Sequence, residues 1–305
     1  MRHFIESHFG FILLLSVAVG LVAPISGVPD DSTSVALAML TYASCFKLRD
    51  GGFSDINWRE IARFYLVRYI LLPIILFAVA HVILPEYALG VFLLALVPAA
   101  VSSPAFAHMF GGRVPPAFAI TIMSTLLAPF LIPLQFMWAS DVALDISPLG
   151  LFRTLAFCIF LPMALYFLTR RFRRWGDAMY TNVKVISITL VAFVIALVIA
   201  KQRHIILADI PALLVPFIAC LSCYAVFVLC ALWLGRKQPR EIQITYAVCS
   251  GFNNVALGVS LALVHFPPAI ILFVAVSEAA WAMLPIIMKK IMSSSKVDAS
   301  PPPAF

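Results

Sequence analysis

Val248-Cys249-Ser250-Gly251-Phe252-Asn253-Asn254-Val255-Ala256-Leu257-Gly258 decides how this chain is read. The stretch lies inside an apolar segment, Ile242 to His265, that is long enough to cross a bilayer. Two adjacent amides, a serine and two glycines make poor lipid-facing helix. Backbone polar groups in hydrocarbon must be satisfied internally, so a Gly-broken helix is tolerated there only around a cavity or inside protein. The first half of the chain carries a counterpart, Val97-Pro98-Ala99-Ala100-Val101-Ser102-Ser103-Pro104, again inside an apolar segment. Paired interruptions at matching positions in two halves point to the binding site of a secondary transporter. Pro98, Pro104, Gly251 and Gly258 are the residues expected to break these helices.

Composition agrees with a membrane setting. The chain has 305 residues, of which 63% are hydrophobic and 11% charged, against about a quarter charged in soluble domains. Mean hydropathy is +1.04. The net charge of +7 sits in short loops between apolar runs and not on a basic, aromatic-interleaved face. It therefore reports topology and excludes nucleic acid as a partner. All six cysteines fall in apolar segments, so no disulfide framework is expected, and Cys220-x-x-Cys223 reads as packing. Glu6 and the poor cleavage sequence Pro24–Val28 make the first apolar run a retained helix and not a signal peptide.

Counting segments of about 20 apolar residues gives ten spans: Phe9–Val28, Thr33–Phe46, Phe64–Leu84, Tyr87–Phe110, Pro116–Trp138, Leu149–Leu168, Tyr180–Ala200, Pro211–Leu234, Ile242–His265 and Pro268–Ile291. A short interfacial helix over Ser54–Arg63 is expected to feed the third. Even loops carry Lys47, Arg49, Arg59, Arg63, Arg113, the Arg170–Arg174 run, Arg236, Lys237 and Arg240. Odd loops carry Asp30, Asp31, Glu86, Asp141 and Asp145, with Lys201 and Arg203 as exceptions. The positive-inside rule puts both termini in the cytoplasm, in a bacterial inner membrane. The fold expected is all-α and integral to the membrane, with ten helices as a 5+5 inverted repeat. Its halves are 1–140 and 141–292, followed by a disordered tail, 293–305, with three consecutive prolines.

Ionisable groups inside a membrane are costly, so each is a functional candidate. Glu278, in Val276-Ser277-Glu278-Ala279-Ala280-Trp281, stands out, with Arg68 as a partner it could hydrogen-bond. Arg68 and His81 lie nearer the ends of their span and can snorkel. Ser102, Ser103, Thr121, Ser124 and Thr125 supply hydroxyls. Asn253 and Asn254, with the exposed backbone of Gly251 and Phe252, supply oxygen ligands for a cation or donors for an anion.

At these residues a family resemblance becomes visible. Pro98-Ala99-Ala100-Val101-Ser102-Ser103, with Met123-Ser124-Thr125-Leu126-Leu127-Ala128-Pro129-Phe130-Leu131-Ile132-Pro133-Leu134, resembles spans four and five of the bile acid:sodium symporters. Gly251-Phe252-Asn253-Asn254-Val255-Ala256-Leu257-Gly258-Val259-Ser260-Leu261-Ala262 is similar to span nine. The resemblance implies a core domain (spans three to five and eight to ten) beside a panel domain (one, two, six and seven). It also implies that spans four and nine cross at their breaks, beside two sodium sites and an organic-anion cavity. Ser103 and Thr121 fall where the family has sodium-binding hydroxyls, and Asn253 where it has a ligating glutamine. Pro104 replaces a ligating asparagine, Ala117 a serine, and Cys249 the glutamate that bridges both ions. Glu278 is the candidate replacement for that carboxylate, which gives a candidate Na⁺ set of Ser103, Thr121, Asn253 and Glu278.

The function expected is a secondary transporter of a small organic anion working by alternating access, with Na⁺ as candidate coupling ion and no other cofactor. The alternative is a proton-coupled or uncoupled permease or exporter of the arsenite type, resting on Cys249. An intramembrane enzyme would need a His/Asp/Glu cluster or a Ser–His pair at one depth, which the sequence does not offer.

Overall fold

The computed structural model describes residues 9–22, 32–46, 56–139, 147–208 and 213–294. Its helices are α1 (Phe9–Val22), α2 (Ser32–Cys45), α3 (Trp58–Ile83), α4 (Ala88–Leu96), α5 (Ser103–Met109), α6 (Val114–Ala139), α7 (Pro148–Thr169), α8 (Arg173–Ala208), α9 (Leu214–Gly235), α10 (Arg240–Gly251), α11 (Val255–His265) and α12 (Pro268–Ser294). Among the described residues there is no strand, and the single β-type contact is an isolated antiparallel bridge between Ala99 and Asn253.

Among the described residues five helices are long and apolar enough to cross a membrane: α3, α6, α7, α9 and Pro268–Met288 of α12. Within α8, Arg173–Val183 and Val185–Leu197 meet at a 61° bend and make a sixth if the bent pair is counted as one span. The lipid-facing side is plain on α3, where Leu71, Ile75, Val79 and Val82 are exposed at helical spacing while Phe64, Tyr65, Tyr69 and Phe77 are buried. An exposed apolar stripe of this kind inverts the amphipathicity of a soluble helix. The protein is an integral membrane protein.

Several expectations shift at element boundaries. The expected interfacial helix starts at Trp58 among the described residues and is continuous with the span: Asn57 accepts from the Glu60 N–H as N-cap, and α3 then runs unbroken from Trp58. Spans four and nine are each two short helices, α4/α5 and α10/α11, with extended backbone between them. Pro104 starts a helix instead of breaking one, since a proline is well placed in the first turn. Gly258 is likewise no break. It lies inside α11, where an added Cβ would stand 2.9 Å from Val97 Cγ2, so it serves close approach of the two broken spans. The join between the proposed halves, much of the first odd loop, the acids Asp141 and Asp145, and the tail from 295 lie outside the described residues.

Inside α3, Pro73 cannot donate to the Tyr69 carbonyl. The helix accommodates this with a π-helical stretch, Leu66–Leu71, in which the Leu72 N–H reaches back five residues to Val67. The freed Tyr69 carbonyl accepts from Gln135 Nε2 of α6 at 2.8 Å. A proline thus creates a local widening, and a buried amide from a neighbouring helix closes it.

The helices sort by their packing partners. Helices α1, α2, α7 and α8 pack among themselves, with α1 on α8 and α2 on both α7 and α8. In the other group, α3 packs on α4, α9 on α10 and on α12, α5 on α6, α11 on α12, α4 on α12, and α10 on α5 and α6. The two groups meet chiefly where α6 lies against α7. Most of the largest fully buried side chains, including Arg68, Tyr69, Tyr224, Phe227 and Phe252, belong to the second group.

The candidate site at the crossing of the broken helices

The crossing is built from backbone first. The Ala100 N–H donates to the Phe252 carbonyl at 2.7 Å, and the Asn254 N–H donates to the Pro98 carbonyl at 2.8 Å. These two bonds run in opposite directions across the bridge, so each extended segment satisfies the other where neither has a helix to do so. Side chains complete the joint. Ser103 Oγ donates to the Phe252 carbonyl at 3.2 Å, and Ser124 Oγ accepts from the Ala99 N–H at 3.2 Å while donating to Thr121.

The helices α4 and α10 both end at this point, and the last carbonyls of a helix have no partner within it. Four are satisfied by side chains from elsewhere. Asn253 Nδ2 donates to Leu94 at 3.0 Å, Tyr69 Oη donates to Cys249 at 3.1 Å, and Arg68 takes Ala95 and Ser250. Arg68 Nη1 donates to the Ala95 carbonyl at 2.7 Å and Nη2 to the Ser250 carbonyl at 3.0 Å and Asn253 Oδ1 at 3.3 Å. Its Nε donates to Ser250 Oγ at 2.8 Å and to the Ser250 carbonyl at 3.2 Å. The guanidinium also lies over the Phe227 ring, 4.0 Å from its centroid, and 4.8 Å from that of Tyr69. Arg68 is 0% exposed.

The expected partnership of Arg68 with Glu278 is therefore not present. Among the described residues neither forms an ion pair with the other, and no hydrogen bond reaches the half-buried Glu278 carboxylate. Nor does Arg68 snorkel. The positive charge is held by carbonyl dipoles, one amide oxygen, one hydroxyl and two ring faces. His81, by contrast, is exposed.

Of the residues predicted from sequence, Ser103, Ser124, Phe252, Asn253 and Asn254 come together at the crossing. Thr121 joins through Ser124 and bonds back to the Ala117 carbonyl at 2.9 Å. Gly251 is the last residue of α10, packed so that a Cβ would meet Val228 Cγ2 at 2.9 Å. Asn254 caps α11 through the Leu257 N–H. Ser102 precedes α5 as its N-cap and makes no side-chain capping bond. Thr125 is half-buried with its hydroxyl unpartnered. Two residues that depart from the symporter pattern meet each other: Cys249 Sγ approaches the Ala117 carbonyl at 3.8 Å, and both residues are fully buried.

Beside the crossing, Phe252 stacks on Phe106 at 4.4 Å, and Trp281 meets both edge-on. Trp281 Nε1 is buried without a partner. Glu278 stands three residues before Trp281 and so shares its helix face. Sequence reasoning missed Arg68, Tyr69 and Gln135 as parts of the joint. The available signal was a cation and a proline five residues apart in one apolar span.

Broken helices bridged through their backbones, inside a bundle of membrane helices, are an architecture that membrane transporters use. The chain belongs to the sodium bile acid symporter family, whose model matches residues 35–209. It is 26% identical over 276 residues to a protein of Bacillus subtilis (strain 168) named as the uncharacterized sodium-dependent transporter YocS, an alignment covering 88% of this chain and 85% of that one.

Proposed function

We propose that the protein is a secondary active transporter that carries a small organic anion by alternating access. Ten spans, arranged as two inverted repeats of five, form a core (α3–α6 and α9–α12) that rocks against a panel (α1, α2, α7, α8), with both termini in the cytoplasm of a bacterial inner membrane. The observation that carries this reading is the reciprocal crossing of α4/α5 with α10/α11. A helix pair broken at mid-depth exposes backbone that a purely structural bundle has no reason to create.

Register and packing support the repeat. Val114 and Pro268, which open α6 and α12, stand at the same sequence distance from Ala99 and Asn253 respectively. The packing pairs recur in the same way: α3–α4 matches α9–α10, α5–α6 matches α11–α12, α4–α12 matches α10–α6, and α1–α8 matches α7–α2. By the same register Glu278 is the counterpart of Ser124, the residue that meets the Ala99 N–H. Trp281 Nε1 and Thr125 Oγ1 are unpartnered donors suited to an oxyanion. Glu278, unpaired among the described residues, is the group through which a cation gradient is coupled to that anion. The arsenite-type alternative rests on Cys249, whose thiol is buried against Ala117.

The test is uptake of a panel of radiolabelled organic carboxylates and sulfonates into proteoliposomes under imposed Na⁺ or H⁺ gradients. Wild type is expected to accumulate at least one of them, and Glu278→Gln to lose accumulation while keeping its thermal stability. Accumulation by Glu278→Gln at the wild-type level removes the coupling role. Absence of any gradient-driven flux across the panel removes the transporter mechanism proposed.

A further inference from the structure

Two helix C-termini that face one another with uncapped carbonyls constitute a cation site. Each brings about half a negative charge from its macrodipole, and unwound carbonyls at such ends are what transporters use to hold Na⁺. The ends of α4 and α10 are arranged in this way, and a cation is already there. We propose that the Arg68 guanidinium is the permanent, covalently tethered cation of the helix crossing, so the chain closes the joint between its two broken spans without an inorganic ion and binds no Na⁺ at that point.

Four observations carry the inference. The guanidinium bonds the terminal carbonyls of both half-helices, Ala95 of α4 and Ser250 of α10, so it spans the two ends as one ion would. Asn253 Oδ1, one of the oxygens in the candidate Na⁺ set, is engaged by Arg68 Nη2. No carboxylate pairs with Arg68 among the described residues, so the site keeps a single positive charge that a second cation would have to overcome. Two of the positions where the resemblance implies oxygen ligands, Cys249 and Ala117, pack against each other, and neither offers a hard side-chain donor. The π-helical stretch around Arg68 is the local device that turns its side chain inward from α3.

The inference deepens the transporter reading by fixing what the crossing does not use, and its first readout needs no substrate. Purified protein is melted in detergent with NaCl, KCl or choline chloride at equal ionic strength. Glu278→Gln, which removes the coupling carboxylate, is expected to melt at the same temperature in all three, because a ligand stabilises only where it binds the folded state. A saturable, Na⁺-specific rise in Glu278→Gln overturns the proposal. Arg68→Ala is expected to melt lower and to recover with guanidinium ion at low-millimolar, non-denaturing concentration. Arg68→Lys is expected to lie between the two. A folded Arg68→Ala protein that melts like wild type, or gains nothing from guanidinium or Na⁺, overturns it as well. If Arg68→Ala cannot be purified folded, the salt comparison in Glu278→Gln decides alone. A failed substrate search leaves all these arms intact, so the two readings fail separately.

Discussion

Replacing Asn253 by alanine removes a side chain that ties three elements together. Its Nδ2 donates to the Leu94 carbonyl at 3.0 Å and its Oδ1 accepts from Arg68 at 3.3 Å, at 2% exposure. Losing the donor strands a buried carbonyl, which costs about 1–3 kcal/mol. Losing the acceptor costs less, since Arg68 Nη2 keeps the Ser250 carbonyl. Polar contacts between membrane helices average only ~0.6 kcal/mol when measured, with a maximum near 1.7, and this pulls the expectation for the whole side chain down to about 2 kcal/mol. Its neighbour Asn254 provides the control, because its side chain makes only a 3.4 Å cap to Leu257 while its backbone holds the crossing bond to Pro98. A weak cap of that kind is worth about 0.5 kcal/mol, and alanine keeps the backbone bond. At roughly 2–4 °C per kcal/mol for a chain of this order of size, Asn253→Ala should melt several degrees below wild type and Asn254→Ala within a degree or two. The assay is thermal unfolding in detergent followed by a thiol-reactive dye. Equal melting temperatures for the two variants would refute the assignment of the bridge to Asn253.

Two further outcomes follow from packing. Gly90→Ala should destabilise by about 1–3 kcal/mol through overpacking, because its Cβ would stand 2.7 Å from the buried Phe273 ring between α4 and α12. Gly176→Ala, with nothing nearer than 3.9 Å, should be neutral or gain up to ~1 kcal/mol of helix propensity. Melting curves of the pair check both, and a harmless Gly90→Ala would show that α4 and α12 are not in close contact. Pro73→Ala restores an N–H that can serve the Tyr69 carbonyl, so Gln135→Leu should cost roughly 1 kcal/mol alone and markedly less in the Pro73→Ala background. Strict additivity in that double-mutant cycle would sink the account of the π-helical stretch.

Much of the architecture was legible because the membrane imposes a simple grammar. Apolar runs mark spans, and Pro98 or the Ser250–Asn254 stretch inside one can only mean a break that something else satisfies. What satisfied it was harder to read. Counting the third span from Phe64 left Arg68 near an end, free to snorkel. The Asn57 cap starts the helix at Trp58, and ten residues at about 1.5 Å each carry Arg68 some 15 Å in. That boundary error moved the most important cation in the molecule from the rim to the centre. Asn253 and Asn254 looked alike in sequence because side-chain direction at a break follows the local backbone and not a helical period. Gly258 was misread for a related reason: a glycine in a span marks close approach as readily as a break.

The bridge between Ala99 and Asn253 joins two residues half the chain apart, and this bears on how the protein is made. When α1–α6 have entered the membrane, the Pro98 and Leu94 carbonyls still lack the partners that Asn254 and Asn253 supply. Arg68 then has one bond of its final set, to Ala95, and its hold on Ser250 and Asn253 waits for α10. Non-local pairings of this kind form late, after the loop between them is closed. Until then the N-terminal helices carry a cation and backbone groups whose final partners have not been made. Synthesis of α10 and α11 is the step that supplies them.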